Sequence, residues 1–272
     1  MGFLKDKYTR EYFTNQMADG KRTDYGALGA DEWREGGIFH EIQEQIDLVD
    51  LTGAHVLEIG YGRGESARYM FREKGIARYT GVDFSEVAHE LACESLAGIS
   101  KERWRLEIAD ALEYMRSKAF RFCFDAVFML DAIEHIPRSE VLEILPLILQ
   151  ALKPGGFLVV DTPFYGIDED YIDQRFRFLQ PSATDLHPAT EGMHCNKYTR
   201  ERIRREIGSA GFKILSDKKY QKPQFPDLQK RINWLCRSGR DLIIRSTNTN
   251  TRRVFARVLL NILLLGSKLD KH

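Results

Sequence analysis

Short apolar runs alternate with amphipathic stretches between residues 55 and 161. His55–Ile59, residues 79–82, residues 104–109, Phe124–Leu130 and residues 157–161 are brief and rich in aliphatic or aromatic side chains, which predicts five strands. Residues 65–74, 85–96, 112–117 and 138–152 separate them and carry apolar residues at helical spacing, with Ser85 reading as an N-cap. Pro146 is expected to kink or shorten the last of these helices, because it removes a backbone donor. Pro154-Gly-Gly reads as a turn. Strands alternating with helices predict βαβ units and a parallel sheet.

Upstream, Asp31 reads as the cap of a helix reaching about Val49, with Ile38, Ile42 and Ile46 four residues apart, and residues 5–17 give a weak helical signal. Downstream, the regularity stops between Thr162 and Lys197, in a stretch of aromatic residues, Pro, Asp and His. Long irregular segments inside compact domains are usually lids or binding insertions. A helix at 199–210 and a strand at 212–216 are expected next, then helix-like stretches at 228–244 and 253–265. The expected organisation is an N-terminal cap segment (1–36), an α/β domain (37–216, with a lid insertion at 162–197) and a basic helical extension (217–272).

A hydrophobic share of 43% with 11% aromatics supports a real core and excludes a disordered chain. The four cysteines, Cys93, Cys123, Cys195 and Cys236, are scattered without a C-x-x-C pair, so zinc or redox chemistry is not indicated. Inert thiols suit a reducing cytoplasm. The first residues lack the apolar stretch of a signal peptide, and no run reaches the roughly 18 apolar residues of a membrane span. The net charge is zero, yet residues 213–272 hold 14 Lys and Arg against 4 Asp, a local net of +10. Two surfaces with different partners are one reading of such segregation.

Chemistry concentrates after the first strand. Glu58-Ile-Gly-Tyr-Gly-Arg-Gly ends a strand and opens a helix, and its glycines Gly60, Gly62 and Gly64 let backbone turn tightly against a ligand. Dinucleotide enzymes share a bare G-x-G. The G-x-G-x-G spacing, the preceding Glu58, and Asp83 about 20 residues on shift the balance. Asp83 ends the second strand, where a carboxylate accepts from ribose hydroxyls. Asp110, after the third strand, is suited to accept from an adenine amino group.

In these motifs the chain resembles the class I S-adenosylmethionine-dependent methyltransferases. The resemblance spans about residues 40–216 and also rests on Gly81-Val-Asp-Phe-Ser, Ala109-Asp-Ala, Phe124-Asp-Ala-Val-Phe-Met-Leu-Asp, Leu152-Lys-Pro-Gly-Gly-Phe-Leu-Val-Val and Gly211-Phe-Lys-Ile. It implies a Rossmann-like, doubly wound, seven-stranded, mostly parallel sheet with helices on both faces, its last two strands an antiparallel hairpin. It implies S-adenosyl-L-methionine as cofactor, with the three glycines against the methionine moiety and Glu58 and Phe84 among the cofactor-binding residues. Asp83 would meet the ribose, Asp110 and Ala111 the adenine, and Leu130 the sulfonium.

Asp131, Glu134 and His135 follow the fourth strand, at the sheet edge where such folds bind ligands. On a helical turn, positions i, i+3 and i+4 share a face, so these side chains could hold a divalent cation, joined from the insertion by His194 or His187. His194 is preferred, because it lies where the insertion must return to the sheet edge. The pattern looks like the metal-dependent branch that includes ubiquinone-biosynthesis O-methyltransferases and small-RNA terminal 2′-O-methyltransferases, although there the first carboxylate is commonly Glu. Mg²⁺ or Mn²⁺ would suit oxygen-rich ligation. Alternatively, Asp131 and His135 line the acceptor site without metal, with His135 as general base.

No Asn-Pro-Pro-Tyr-like segment follows the fourth strand, so oxygen is the preferred acceptor atom. The expected activity is O-methylation of a sugar, lipid-linked glycan or quinol-like small molecule. An RNA terminal hydroxyl and a non-catalytic cofactor-binding adaptor are the alternatives. Tyr165, Tyr171, Phe176, Phe178, Arg175 and Arg177 either cover that acceptor or simply pack the insertion. In the tail, Arg253, Arg257 and Asn261 form a narrow polar stripe on an apolar helix. Docking on the core or a dimer partner, peripheral contact of residues 252–265 with a membrane, and RNA binding all fit it, nucleic acid least.

Overall fold

The computed structural model of the 272-residue chain describes residues 7–14, 40–162, 194–196 and 198–217. Helices α1 (Arg10–Phe13) and α2 (His40–Ile46) precede the sheet. The chain then alternates through β1 (His55–Ile59), α3 (Glu65–Glu73), β2 (Arg78–Asp83), α4 (Glu86–Ser95), β3 (Trp104–Ile108), α5 (Ala111–Lys118), β4 (Phe124–Leu130), α6 (Arg138–Ala151) and β5 (Leu152–Asp161), and α7 (Arg200–Ser209) follows. All strands are parallel, in the order β3-β2-β1-β4-β5. The chain winds outward from β1 to β3 and returns across β1 to β4. The crevice where the winding reverses, at the carboxyl ends of β1 and β4, is where open α/β sheets bind ligands.

Both faces of the sheet are covered, which explains the near-continuous apolar runs. Successive residues feed opposite cores. Val56 and Phe128 join Met70, Leu91 and Phe13 on one face. Leu57 and Val127 join Met115, Ile144, Ile148 and Ile203 on the other. Ser85 caps α4 by accepting from the Ala88 amide at 3.2 Å, and Thr199 caps α7 through the Arg202 amide at 3.1 Å.

Three expectations need correction. Among the described residues the sheet has five strands, not seven, and residues 212–216 form none. Their alternation suits a strand, but a strand needs a neighbour for its backbone groups; among the described residues none pairs with them, and Leu215 is exposed. Helix α6 runs unshortened through Pro146. Pro146 and Leu142, whose carbonyl loses its donor, both lie on the exposed side, so water can satisfy that carbonyl. Finally, Pro154-Gly-Gly falls within the bounds of β5 rather than before it, as a bulge: the register passes from Phe124 opposite Leu152 to Ala126 opposite Phe157, and Gly155 takes a φ of +81°.

The helix start at Asp31, insertion residues 163–193 with His187, and the tail with residues 252–265 lie outside the described residues. Among those described, no helix is long and apolar enough to cross a membrane.

Candidate functional site

The glycine turn follows directly from β1. Gly60, Gly62 and Gly64 all take positive φ, the left-handed region that side chains with a Cβ rarely adopt. At Gly60 packing adds a second constraint, since a Cβ there would stand 2.7 Å from the Ala132 Cβ. Ala132 lies three residues before His135, so the glycine turn and the segment after β4 are in direct contact.

Two acids brace this turn. Asp83, the last residue of β2, accepts from the Gly62 amide at 3.0 Å and from the Ser85 amide at 2.9 Å. Burial raises its pKa to about 6, against the lowering effect of those backbone donors. Glu58 is buried and accepts from the Ser66 hydroxyl at 2.7 Å and the Tyr79 hydroxyl at 2.6 Å. Burial raises its pKa to about 7, the two hydroxyls oppose that shift, and the charges of Asp83 and Glu65 add to it. Glu58 therefore faces its own network of side chains.

Asp110 has a structural duty too. It caps α5, one oxygen accepting from the amides of Leu112 and Glu113 at 3.0 and 3.2 Å. Ala111 and Leu130 are buried at the same sheet edge.

After β4 the backbone turns sharply at Asp131, with φ at +46°, and Ile133–His135 form a single 3-10 turn. The helical geometry assumed for Asp131, Glu134 and His135 is therefore not what the chain adopts. Ligand atoms of Glu134, His135 and His194 lie within 4.8 Å of one another, and Asp131 is outside that group. Two ligands on one ion, each at about 2.1 Å, are at most about 4.2 Å apart, so small rotations would close the set. One carboxylate with two imidazoles fits a divalent cation. The rings of His135 and His194 meet edge to face at 4.6 Å.

Glu134 is almost wholly buried and accepts from the Thr162 hydroxyl at 2.9 Å, while its carbonyl accepts from the Asn196 amide at 2.9 Å. Burial holds its carboxyl well above the usual range, reinforced by the charges of Asp131 and Asp161.

Sequence patterns did not single out Tyr8, Arg63, Thr162 or Asn196. Tyr8 Oη lies 2.8 Å from His135 Nδ1, and its ring packs edge-on against Phe84 at 4.8 Å. Arg63, inside the glycine turn, is 1% exposed. It donates to the Phe13 carbonyl at 2.9 Å and pairs with Glu65 at 3.2 Å, anchoring the N-terminal segment on the turn. The visible signals were the aromatic spacing of Tyr8, Tyr12 and Phe13, and an arginine enclosed by glycines.

The parallel, doubly wound sheet with a glycine turn and an acid at the end of β2 defines a Rossmann-like nucleotide-cofactor domain. The family described as "Methyltransferase domain" matches residues 30–217, and the chain belongs to it, as a class I domain that uses S-adenosylmethionine. Phosphoethanolamine N-methyltransferase 2 of Caenorhabditis elegans is 35% identical over 175 residues, 58% of this chain and 39% of the relative. The fatty-acid O-methyltransferase of Mycolicibacterium smegmatis is 33% identical over 139 residues, 48% of this chain and 45% of the relative. A solved phosphoethanolamine N-methyltransferase 2 of Haemonchus contortus, with phosphomonomethylethanolamine and S-adenosylhomocysteine, aligns with a TM-score of 0.51 at 25% identity. That alignment covers 70% of this chain and 39% of the other. The chain spans less than half the length of these relatives.

Proposed function

We propose that this chain transfers the methyl group of S-adenosylmethionine to a hydroxyl oxygen of a small molecule, a sugar, lipid-linked glycan or quinol-like acceptor. The observation that carries this reading is the convergence of Glu134, His135 and His194 beside the glycine turn. S-adenosylmethionine brings the reactive carbon, so the protein must align the acceptor and deal with its proton. Tyr8 Oη lies against Nδ1 of His135, so in this reading Nε2 is the nitrogen that would take a proton or meet a cation. Thr162 and Asn196 fix Glu134 from two sides.

Glu134, His135 and His194 would hold a divalent cation, with Asp131 adding negative charge nearby. Two imidazoles among three ligands favour Mn²⁺ over Mg²⁺. Bound there, the cation would supply positive charge that lowers the pKa of an acceptor hydroxyl. On the cofactor side, Asp83 would accept from the ribose, Asp110 and Ala111 would border the adenine beside Phe84, and Leu130 would lie near the sulfonium.

A second reading, methylation of the amine of a phosphorylated ethanolamine-like acceptor, is favoured by the 35% identity to phosphoethanolamine N-methyltransferase 2. A panel of sugars, quinols, fatty acids and phosphoethanolamine, assayed with methyl-labelled cofactor, separates the two. Label on a hydroxyl acceptor supports the proposal. Label on phosphoethanolamine alone replaces it with the second reading.

A further inference from the structure

The opposite edge of the sheet carries a cleft unrelated to this chemistry. The amino ends of β1, β2, β3 and β4 meet the carboxyl end of α5 around a volume of about 320 Å³. That is within the range of small-ligand pockets. Strand β2 runs from Arg78 at this cleft to Asp83 at the glycine turn, so about 17 Å of extended backbone separates the two places.

The lining is divided by chemistry. His55 and Thr80 contribute a neutral polar pair, His55 Nε2 standing 3.1 Å from Thr80 Oγ1. Tyr114 and Phe120 supply an apolar wall. Arg78, Arg103, Arg105 and Lys118 also line the cleft, against the single acid Glu102. Two of these cations are already committed. Arg103 donates to the carbonyls of Ile76 and Ala77, and Arg105 pairs with Glu107. Arg78 and Lys118 are exposed, and neither has a carboxylate partner among the described residues. Burial first, and then the charges of Arg78 and Lys153, push His55 toward its neutral form, with the Asp125 carboxylate opposing them.

A concave site with an apolar wall, a neutral hydrogen-bonding pair and two cations without carboxylate partners matches an anionic head on an apolar or flat body. We propose that this cleft is a second ligand site that takes a small phosphorylated molecule, its phosphate against Arg78 and Lys118 and its body along Tyr114 and Phe120. The phosphate could belong to a soluble metabolite or to a lipid headgroup.

Calorimetry on the 272-residue chain, with the cofactor site saturated by S-adenosylhomocysteine, would test the soluble source using AMP and inorganic phosphate as probes. Co-sedimentation with phosphatidic acid vesicles would test the lipid source. The comparison protein is Arg78→Glu/Lys118→Glu, checked for unchanged S-adenosylhomocysteine binding. At least one probe should bind the wild-type chain and lose at least tenfold in affinity in the double variant. If that variant fails to bind S-adenosylhomocysteine, Lys118→Gln takes its place and should weaken the same probe at least threefold. Absence of binding by all three probes at millimolar concentration would overturn the proposal, and so would equal affinity in wild type and variant.

Discussion

Tyr8 Oη stands 2.8 Å from Nδ1 of His135, although 127 residues separate the two in the chain. The contact sets the imidazole by its far nitrogen. For Nε2 to accept a proton or meet a cation, Nδ1 must carry the hydrogen and donate it to the tyrosine oxygen. The same tyrosine packs on Phe84, directly after the ribose-binding candidate Asp83. One N-terminal side chain therefore touches both halves of the proposed site.

Tyr8→Phe keeps that ring packing and removes the hydrogen bond. The expected result is a drop in kcat of about 10–100-fold, the usual effect of losing a group that orients a functional histidine. The KM for S-adenosylmethionine should barely change. Steady-state kinetics at saturating cofactor measure this, and an unchanged kcat would mean that His135 does not depend on Tyr8.

Asp83 ties cofactor affinity to pH. Its pKa in the free protein is raised to about 6, mainly by burial. If the ribose requires the ionised carboxylate, affinity should be flat above pH 6. Below it, affinity should weaken by about tenfold per unit as the proton competes. Asp83→Asn should bind more weakly and lose this dependence. Titration calorimetry between pH 5 and 8 would show it, and parallel profiles in wild type and variant would contradict the assignment.

Glu58 ties stability to pH in the cofactor-free protein. Its folded pKa of about 7 lies above the ordinary 4.5, because burial disfavours the charge. Between about pH 4.5 and 7 the folded state holds a proton that the unfolded chain has released. Its contribution to stability therefore falls as pH rises through that window and levels off above it, by up to about 1.4 kcal/mol per unit. Glu58→Gln should flatten this slope. Denaturant unfolding of both proteins at several pH values provides the test, with equal slopes as the contrary result.

Two glycines with similar backbone angles should respond differently to alanine. Gly53 and Gly60 have φ of +72° and +82°, but only at Gly60 does a Cβ meet another atom within 4 Å, the Ala132 Cβ at 2.7 Å. Gly53→Ala should cost about 1 kcal/mol of backbone strain. Gly60→Ala should cost roughly 1–3 kcal/mol more and weaken cofactor binding. Thermal unfolding compares the pair, and equal losses would show that the turn can move away from Ala132.

Periodicity made the central sheet legible, because strands buried on both faces read as uninterrupted apolar runs. His55–Ile59 and Phe124–Leu130 have the bounds that their hydrophobicity predicts. The places of Asp83 and the glycine turn were legible for a related reason, since both follow from where strands end. The acceptor side was less so. The left-handed turn at Asp131 cannot be inferred from residue type, and it removes Asp131 from the group formed by Glu134, His135 and His194. The partners of Glu134 come from Thr162 and Asn196, on either side of a long insertion. The contact of Tyr8 with His135 spans most of the domain. Contacts at such separation leave no local pattern.

The most direct measurement is methyl transfer to the best hydroxyl acceptor by metal-stripped protein, with Mn²⁺ added back in steps, for wild type and His194→Ala. The account predicts that stripped wild type is inactive and that turnover returns at close to one ion per chain. His194→Ala should need at least tenfold more Mn²⁺ while binding S-adenosylmethionine normally. Full turnover by stripped wild type in excess chelator would contradict it.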